Sequence, residues 1–380
     1  MGLKSIVSKH RGKQSNNQLK DEVKKKVLKL IKERYPDFGP TFAHEKLTEQ
    51  HELNLSVEST RQIMMQAGIW RGKQRKVIQV HPQRPRRSCL GELVQIDGSP
   101  HDWFEGRRGK CCLLVFIDDA TSRLMQLHFA EEESTQAYFD GTQAYLKQHG
   151  RPLSFYSDRH SIFRVNIQEA ERGNGETQFS RTMRELGIGL ICANSPQAKG
   201  RVEKANGTLQ DRLVKEMRSR GISDIPTANA FLPEFMEEYN KRFAVVSANS
   251  TDAHREGLPD EGTLKLIFSH QCQRKISKNL EVSYKNIIYQ IQSGTPSYTM
   301  RGAHLTVCDR QGEIGLVYKG KSLPFEVFDK KNQPTEVVSS KQLNSPRKVS
   351  PTTPKPKGNH PWRNYPKQLG QEGQRAMMIG

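Results

Sequence analysis

The chain is short of apolar residues and carries none of the usual marks of export. Hydrophobic residues make up 34% of its 380 residues and aromatic residues 7%. That is enough for the cores of two or three domains once polar ends are discounted. No apolar run approaches the roughly 20 residues that cross a bilayer, and the N-terminus lacks an apolar signal core. Ile6 stands where a myristoylation motif wants Ser or Thr. No membrane partner or lipid anchor is therefore expected. The six cysteines (Cys89, Cys111, Cys112, Cys192, Cys272, Cys308) contain no CxxC pair and have no His pair at finger spacing. They read as reduced, mostly buried thiols of a cytoplasmic protein with no zinc site. No internal repeat is evident.

Positive charge is abundant, and its placement is informative. The formal net charge is +19. Residues 1–90 hold 20 Lys and Arg against 8 Asp and Glu, a net of +12, and residues 330–380 hold 10 against 2, a net of +8. The middle is left at −1. A near-neutral centre between two basic ends fits a polyanion binder whose central part does something else.

Residues 1–20 are basic, polar and aperiodic, and read as a flexible arm. Apolar periodicity predicts a helix from Asp21 to about Tyr35, a second over 42–50 after Gly39-Pro40, and a third capped by Ser56 and stopped by Gly68. Over 21–70 this is the order of a helix-turn-helix DNA-binding domain, with Arg61 and Gln62 exposed early on the third helix. A small helical domain with a solvated Arg is the plainer alternative. Residues 71–90 form a basic linker suited to lying along phosphates, or merely solvated.

From residue 91 the period changes. Strands are expected over 92–97, 110–117 and 122–130, then a helix over 134–149, a strand over 153–156, a helix over 178–186 and a buried strand over 188–192. A polar loop with Gly173-Asn174-Gly175 falls within 164–177. The succession predicts an α/β domain with a mixed sheet, continuing through helices over 226–243 and ending near 245. Short β-rich runs separated by turns over 246–329 suggest a small β-barrel or sandwich, and the Lys-, Ser- and Pro-rich residues 330–380 a disordered basic tail.

One stretch organises the centre: Ser195-Pro196-Gln197-Ala198-Lys199-Gly200-Arg201-Val202-Glu203-Lys204-Ala205-Asn206-Gly207. Ser195 as N-cap and Pro196 just inside open a helix. Val202, Ala205, Leu209 and Leu213 make its buried stripe, and Lys199, Glu203, Asn206 and Gln210 a polar stripe beside it. A surface helix patterned for solubility would look similar. Two further acids weigh against that. Asp97 in Gln95-Ile96-Asp97-Gly98 and Asp158 in Phe155-Tyr156-Ser157-Asp158 each follow apolar strand residues and precede a turn, so both are expected at strand ends. Three carboxylates gathered together repel unless a counter-charge joins them, and oxygen donors suit Mg²⁺ or Mn²⁺. Two such ions about 4 Å apart support in-line phosphoryl displacement by water or a 3′-hydroxyl without a covalent protein nucleophile. Asp118 and Asp119 read as turn and capping residues before Thr121-Ser122, with Asp118 an alternative ligand. His160 reads as a polar loop residue, and Trp103 as core.

The three acidic segments resemble the DDE motifs of integrase-core transposases of bacterial insertion sequences, the ISNCY type in particular. The resemblance spans roughly residues 20 to 330 and includes Phe116-Ile117-Asp118-Asp119-Ala120-Thr121 and Tyr239-Asn240-Lys241-Arg242-Phe243. It implies an RNase H-like catalytic core with Asp97, Asp158 and Glu203 as catalytic, metal-binding triad, two Mg²⁺ ions with Mn²⁺ as substitute, and a further helix-turn-helix ahead of the point where this chain begins. It also implies double-stranded DNA as partner, a homo-oligomer formed on it, and a bacterial, nucleoid-associated location. Arg61, Gln62, Lys199, Arg201, Lys204 and Asn206 are the candidate DNA contacts. The expected activity is cleavage at transposon ends and transfer of the 3′-hydroxyl into target DNA. The alternatives are a two-metal nuclease that does not join and an inactive DNA-binding regulator.

Overall fold

A computed structural model describes residues 19–72, 84–165, 175–193, 200–292 and 298–329. The basic tail, most of the N-terminal arm, much of the linker and of the 164–177 loop, the Ser195-Pro196 cap and Lys199 lie outside the described residues.

Three helices open the chain: α1 (Asp21–Arg34), α2 (Pro40–His51) and α3 (Val57–Gln66). Pro40 occupies the first turn of α2, where its missing N–H is no loss. The Ser56 hydroxyl accepts from the Ser59 N–H and caps α3, which ends before Gly68 at φ +68°. Val27, Ile31, Phe38, Phe42, Leu47, Ile63 and Met64 close a small core among the three.

The central sheet has five strands: β1 (Leu93–His101), β2 (Cys111–Asp118), β3 (Leu124–Ala130), β4 (Ser154–Ser157) and β5 (Gly189–Cys192), in the order β3-β2-β1-β4-β5. The first three run antiparallel, while β1, β4 and β5 are parallel. The mixed sheet expected from the sequence is therefore present. β2 is buried along its whole length, because helices cover both faces. On one face lie α4 (Thr135–His149), capped by Ser134, and α5 (Gln178–Glu185), which pack on Ile96, Leu114 and Phe116. On the other lie α6 (Gly200–Ser219) and α7 (Ile225–Phe243), which pack on Leu113, Val115 and Trp103. Trp103 is fully buried, a core residue as expected.

Two strands differ from expectation. β1 continues four residues past Asp97, because Gly98 to His101 keep pairing with Leu114 to Cys111. Asp97 thus sits inside a strand, not at its end. β5 is an edge strand with alternate residues exposed, Ile191 among them, so it is not a buried strand.

After α8 (Glu261–Ile267) come β6 (His270–Lys275), β7 (Glu281–Tyr284), β8 (Ile287–Ile291), β9 (His304–Arg310), β10 (Glu313–Tyr318), β11 (Lys321–Leu323) and β12 (Phe325–Asp329). They form two sheets, β11-β10-β9-β6 and β12-β8-β7. The chain divides into two compact units, and the four-stranded sheet falls in the first with everything before it. Hydrogen bonds account for this: Arg181 of α5 donates to the carbonyls of Ile267 and Ser269, and Arg310 of β9 donates to Gln143 of α4. The second unit holds β7, β8 and β12, packed through Val282, Tyr289 and Ile291. All six cysteines are free thiols. Among the described residues no helix is long and apolar enough to cross a membrane.

Candidate active site on the central sheet

The buried stripe of α6 seats the helix on the sheet: Val202, Ala205, Leu209 and Leu213 are at most 2% exposed. The polar stripe follows from that seating. Gln95, Asp97 and Ser99 alternate onto the same face of β1, and α6 runs alongside. The Val202 N–H donates to the Gln95 side-chain oxygen (3.2 Å), the Asn206 amide to Asp97 (2.9 Å) and the Gln210 amide to the Ser99 hydroxyl (3.1 Å). Four residues of helix rise about 6 Å and two residues of strand about 6.7 Å, so the two ladders stay in step.

β4 pairs with β1 in parallel register, with Leu93 opposite Ser154 and Gln95 opposite Tyr156. Asp97 comes two residues after the last paired residue of β1, and Asp158 two residues after its partner, just past the end of β4. An oxygen of Asp158 accepts from the His160 N–H at 2.9 Å, which holds the carboxylate in the turn. His160 itself is exposed and its ring accepts from the Ile162 N–H, the behaviour of a loop residue. Glu203 is exposed on α6, one turn before Asn206. Among the described residues no three His, Cys, Asp or Glu side chains stand close enough to share an ion. Beside Asp97, however, the buried side-chain oxygen of Asn206 has no hydrogen-bond partner among the described residues. An acceptor in that position suits a cation or its water. Gly98 faces the other way, where a Cβ would fall 2.4 Å from the Glu133 carboxyl carbon, so a larger residue there would displace that side chain.

Asp118 behaves as the sequence suggested for a turn residue. Its carboxylate accepts from the Thr121 N–H (2.8 Å), the Thr121 hydroxyl (2.7 Å) and the Gly91 N–H (3.0 Å). Burial raises its pKa, partly offset by those hydrogen bonds. Asp119 does not cap anything. It is fully buried and accepts from the Arg84 guanidinium, from Arg201 at 2.7 Å, from the Gln95 amide at 2.8 Å and from the Arg87 N–H at 2.9 Å. The arginines are distant in sequence, so only the fold reveals this ion-pair hub. It ties the linker to the start of α6 and, through Gln95, to the strand that carries Asp97. Arg201 is spent on Asp119 and on the Arg84 carbonyl (3.2 Å), whereas Lys204 is exposed. Arg61 is ion-paired with Glu58 and lies 6.0 Å from the Trp70 ring, and Gln62 is exposed beside it.

No family model matches the chain. It is 45% identical over 346 residues, 90% of its own length and 75% of the other's, to "Putative transposase y4bF" of Sinorhizobium fredii (strain NBRC 101917 / NGR234). It is 27% identical over 405 residues, 95% of its length and 84% of the other's, to "Transposase for insertion sequence IS1202" of Streptococcus pneumoniae. Among solved structures, the HTLV-2 integrase catalytic core domain in complex with magnesium aligns with 43% of this chain and 96% of its own, at 17% identity and a TM-score of 0.31. A simian T-cell lymphotropic virus intasome in complex with the PP2A regulatory subunit B56 gamma aligns with 80% of this chain and 99% of its own, at 13% identity and a TM-score of 0.33. Likeness at that level assigns no residue a role. The sequence relationship does fix the kinship: this chain belongs to the transposase family that includes the Sinorhizobium and Streptococcus proteins.

Proposed function

We propose that Asp97 of β1, Asp158 just past β4 and Glu203 of α6 form the catalytic centre of a DDE transposase with an RNase H-like core. There DNA is cut at the element's ends and the freed 3′-hydroxyl is joined to target DNA. Two observations carry this reading: the parallel register of β1 and β4, which runs to Gln95 opposite Tyr156, two residues short of Asp97 and Asp158, and the bond from Asn206 of α6 to Asp97, which puts Glu203 one turn from the residue that grips Asp97. The donors are all carboxylate and amide oxygens, the set that suits Mg²⁺ or Mn²⁺. Asp97, Asp158 and Glu203 would hold two such ions, with the unpartnered Asn206 oxygen near at hand. Bound there, magnesium supplies Lewis acidity to the attacking and departing oxygens of a phosphodiester. The chain's own part is positioning. The Asn206 amide and the His160 N–H orient one oxygen each of Asp97 and Asp158, and the exposed Glu203 side chain has the freedom to turn inward and complete the set. Asn206 is thus read as a holder of Asp97 more than as a DNA contact.

In the same reading α1 to α3 serve as a helix-turn-helix, with Arg61 and Gln62 reaching base edges and Lys199 and Lys204 meeting phosphates. The regions 91–245 and 246–329 are the catalytic and accessory parts of a homo-oligomer formed on double-stranded DNA in a bacterial cytoplasm. The experiment is cleavage and joining of end-sequence duplexes in Mg²⁺. Asp97→Asn and Glu203→Gln abolish both reactions and leave DNA binding in place, with non-additive losses because the three acids act together. Near-wild-type strand transfer by Glu203→Gln refutes the triad. Cleavage without joining by the wild type would mark a nuclease instead.

A further inference from the structure

Beside α6, about a third of a turn round the helix from Glu203, there is a cavity of about 710 Å³. Gly200, Arg201, Lys204 and Thr208 form one wall, the linker residues 84–86 another, and Tyr239 and Phe243 of α7 the floor. We infer that this cleft is a second nucleic-acid site, a seat for the phosphodiester backbone of DNA, in which Arg86 and Lys204 neutralise phosphate without reading bases, while Arg84 and Arg201 are held on Asp119 in its wall. The inference rests on DNA being the substrate and adds a surface separate from the acidic face.

The charge balance carries it. Four cations line the cleft, and among the described residues the one carboxylate bonded to them is Asp119, shared by Arg84 and Arg201. The neighbouring Asp118 spends its oxygens on Gly91 and Thr121. Arg86 donates to three neutral oxygens, the Asp119 and Ala120 carbonyls (3.3 and 3.2 Å) and the Ser122 hydroxyl (2.8 Å), so its charge is left uncompensated. The Arg84 Nε is buried and has no hydrogen-bond partner among the described residues. Burial lowers the pKa of Arg201, the charges of Arg84 and Arg86 add to that, and Asp119 opposes it. Partly buried cations in such excess call for an anion, and arginine's planar fork suits phosphate oxygens. Further along the same flank, Arg212 makes two bonds to Glu45 of α2, at 2.5 and 2.9 Å. The cleft therefore lies on the flank of α6 against which α2 is docked.

The test is the slope of log affinity against log salt for the full chain on end-sequence and random duplexes. Each phosphate contact contributes about 0.9 to that slope. Lys204→Gln and Arg86→Gln each flatten it by about that much on both duplexes, Arg86→Lys largely restores it, and Thr208→Glu weakens binding to both duplexes alike. Lys147→Ala, a change of an exposed lysine on α4, leaves it unaltered. Lys204→Gln and Thr208→Glu do not touch the Asp119 bonds, so they decide the matter if Arg86 variants fold poorly. Unchanged slopes in Lys204→Gln and Arg86→Gln overturn the inference. So does inorganic phosphate raising the Tm of the wild type but not of Lys204→Gln while the DNA slopes stay equal, which would make the cleft a small-anion site. The catalytic reading stands or falls separately, on cleavage by Asp97→Asn and Glu203→Gln.

Discussion

Lys46 of α2 and Glu216 of α6 form an ion pair whose side chains are 6% and 5% exposed, and its removal tests how the N-terminal helices are held to the sheet. The neighbouring pairs are wetter: the partners of Glu45–Arg242 are 19% and 27% exposed, and those of Asp37–Arg218 44% and 37%. Pairs that reach solvent contribute about 1 kcal/mol or less each. Stranding one charge of a buried pair costs about 3–5 kcal/mol. Lys46→Met leaves Glu216 with Arg220, itself shared with Glu234 at 2.9 Å, so the loss falls near 3 kcal/mol, the low end of that range. Glu216→Leu leaves Lys46 with little beyond the Phe42 ring at 5.5 Å, so it costs more. The double variant Lys46→Met, Glu216→Leu exchanges charge for apolar volume and recovers most of the loss, since replacing both partners is close to neutral. A chain of several units does not unfold in two states, so the assay is hydrogen exchange along α2 and α6. About 3 kcal/mol corresponds to roughly a hundredfold faster exchange in Lys46→Met. Wild-type exchange in that variant, or a double variant no better protected than Glu216→Leu alone, refutes the argument.

Arg61→Ala or Gln62→Ala relaxes end-sequence preference at about 1–3 kcal/mol per lost bidentate contact, read by footprinting, and unchanged protection in both returns α3 to a structural role. Burial lowers the pKa of His128 and His149 from 6.5, so the folded chain holds them neutral. Their contribution is complete above roughly pH 6.5 and is lost as the pH falls through the lowered values. His149→Gln, whose amide can still donate to the Met125 carbonyl, flattens the loss of hydrogen-exchange protection along α4 with acid, and a profile identical to wild type speaks against this. Deleting residues 335–380 removes most of the +8 segment, so it weakens binding to all duplexes alike and flattens the salt slope. A loss confined to the specific duplex assigns the tail another role.

Much of this was legible in sequence because the relevant physics is local. Ser56, Ser134 and Gly68 announce helix ends by hydrogen-bond and φ requirements that one or two residues satisfy. The α6 stripe, Val202 to Leu213, needs only a period of 3.6, and it dictated which face holds Glu203 and Asn206. Strand length was less legible: Gly98, Ser99 and Pro100 look like a turn, yet β2 offers partners that carry β1 on to His101. Tertiary structure alone decided that Gln95 of β1 lies opposite Tyr156 of β4, two residues before each aspartate, because register depends on which strands become neighbours. It also decided that Asp119 gathers Arg84 and Arg201, from 35 and 82 positions away. In the same way it drew the four-stranded sheet to the central core by way of Arg181 and Arg310. The sequence by itself settles periodicity and caps, whose energies come from neighbours along the chain. Buried charges and strand edges take their partners from across it, so only the folded arrangement settles them.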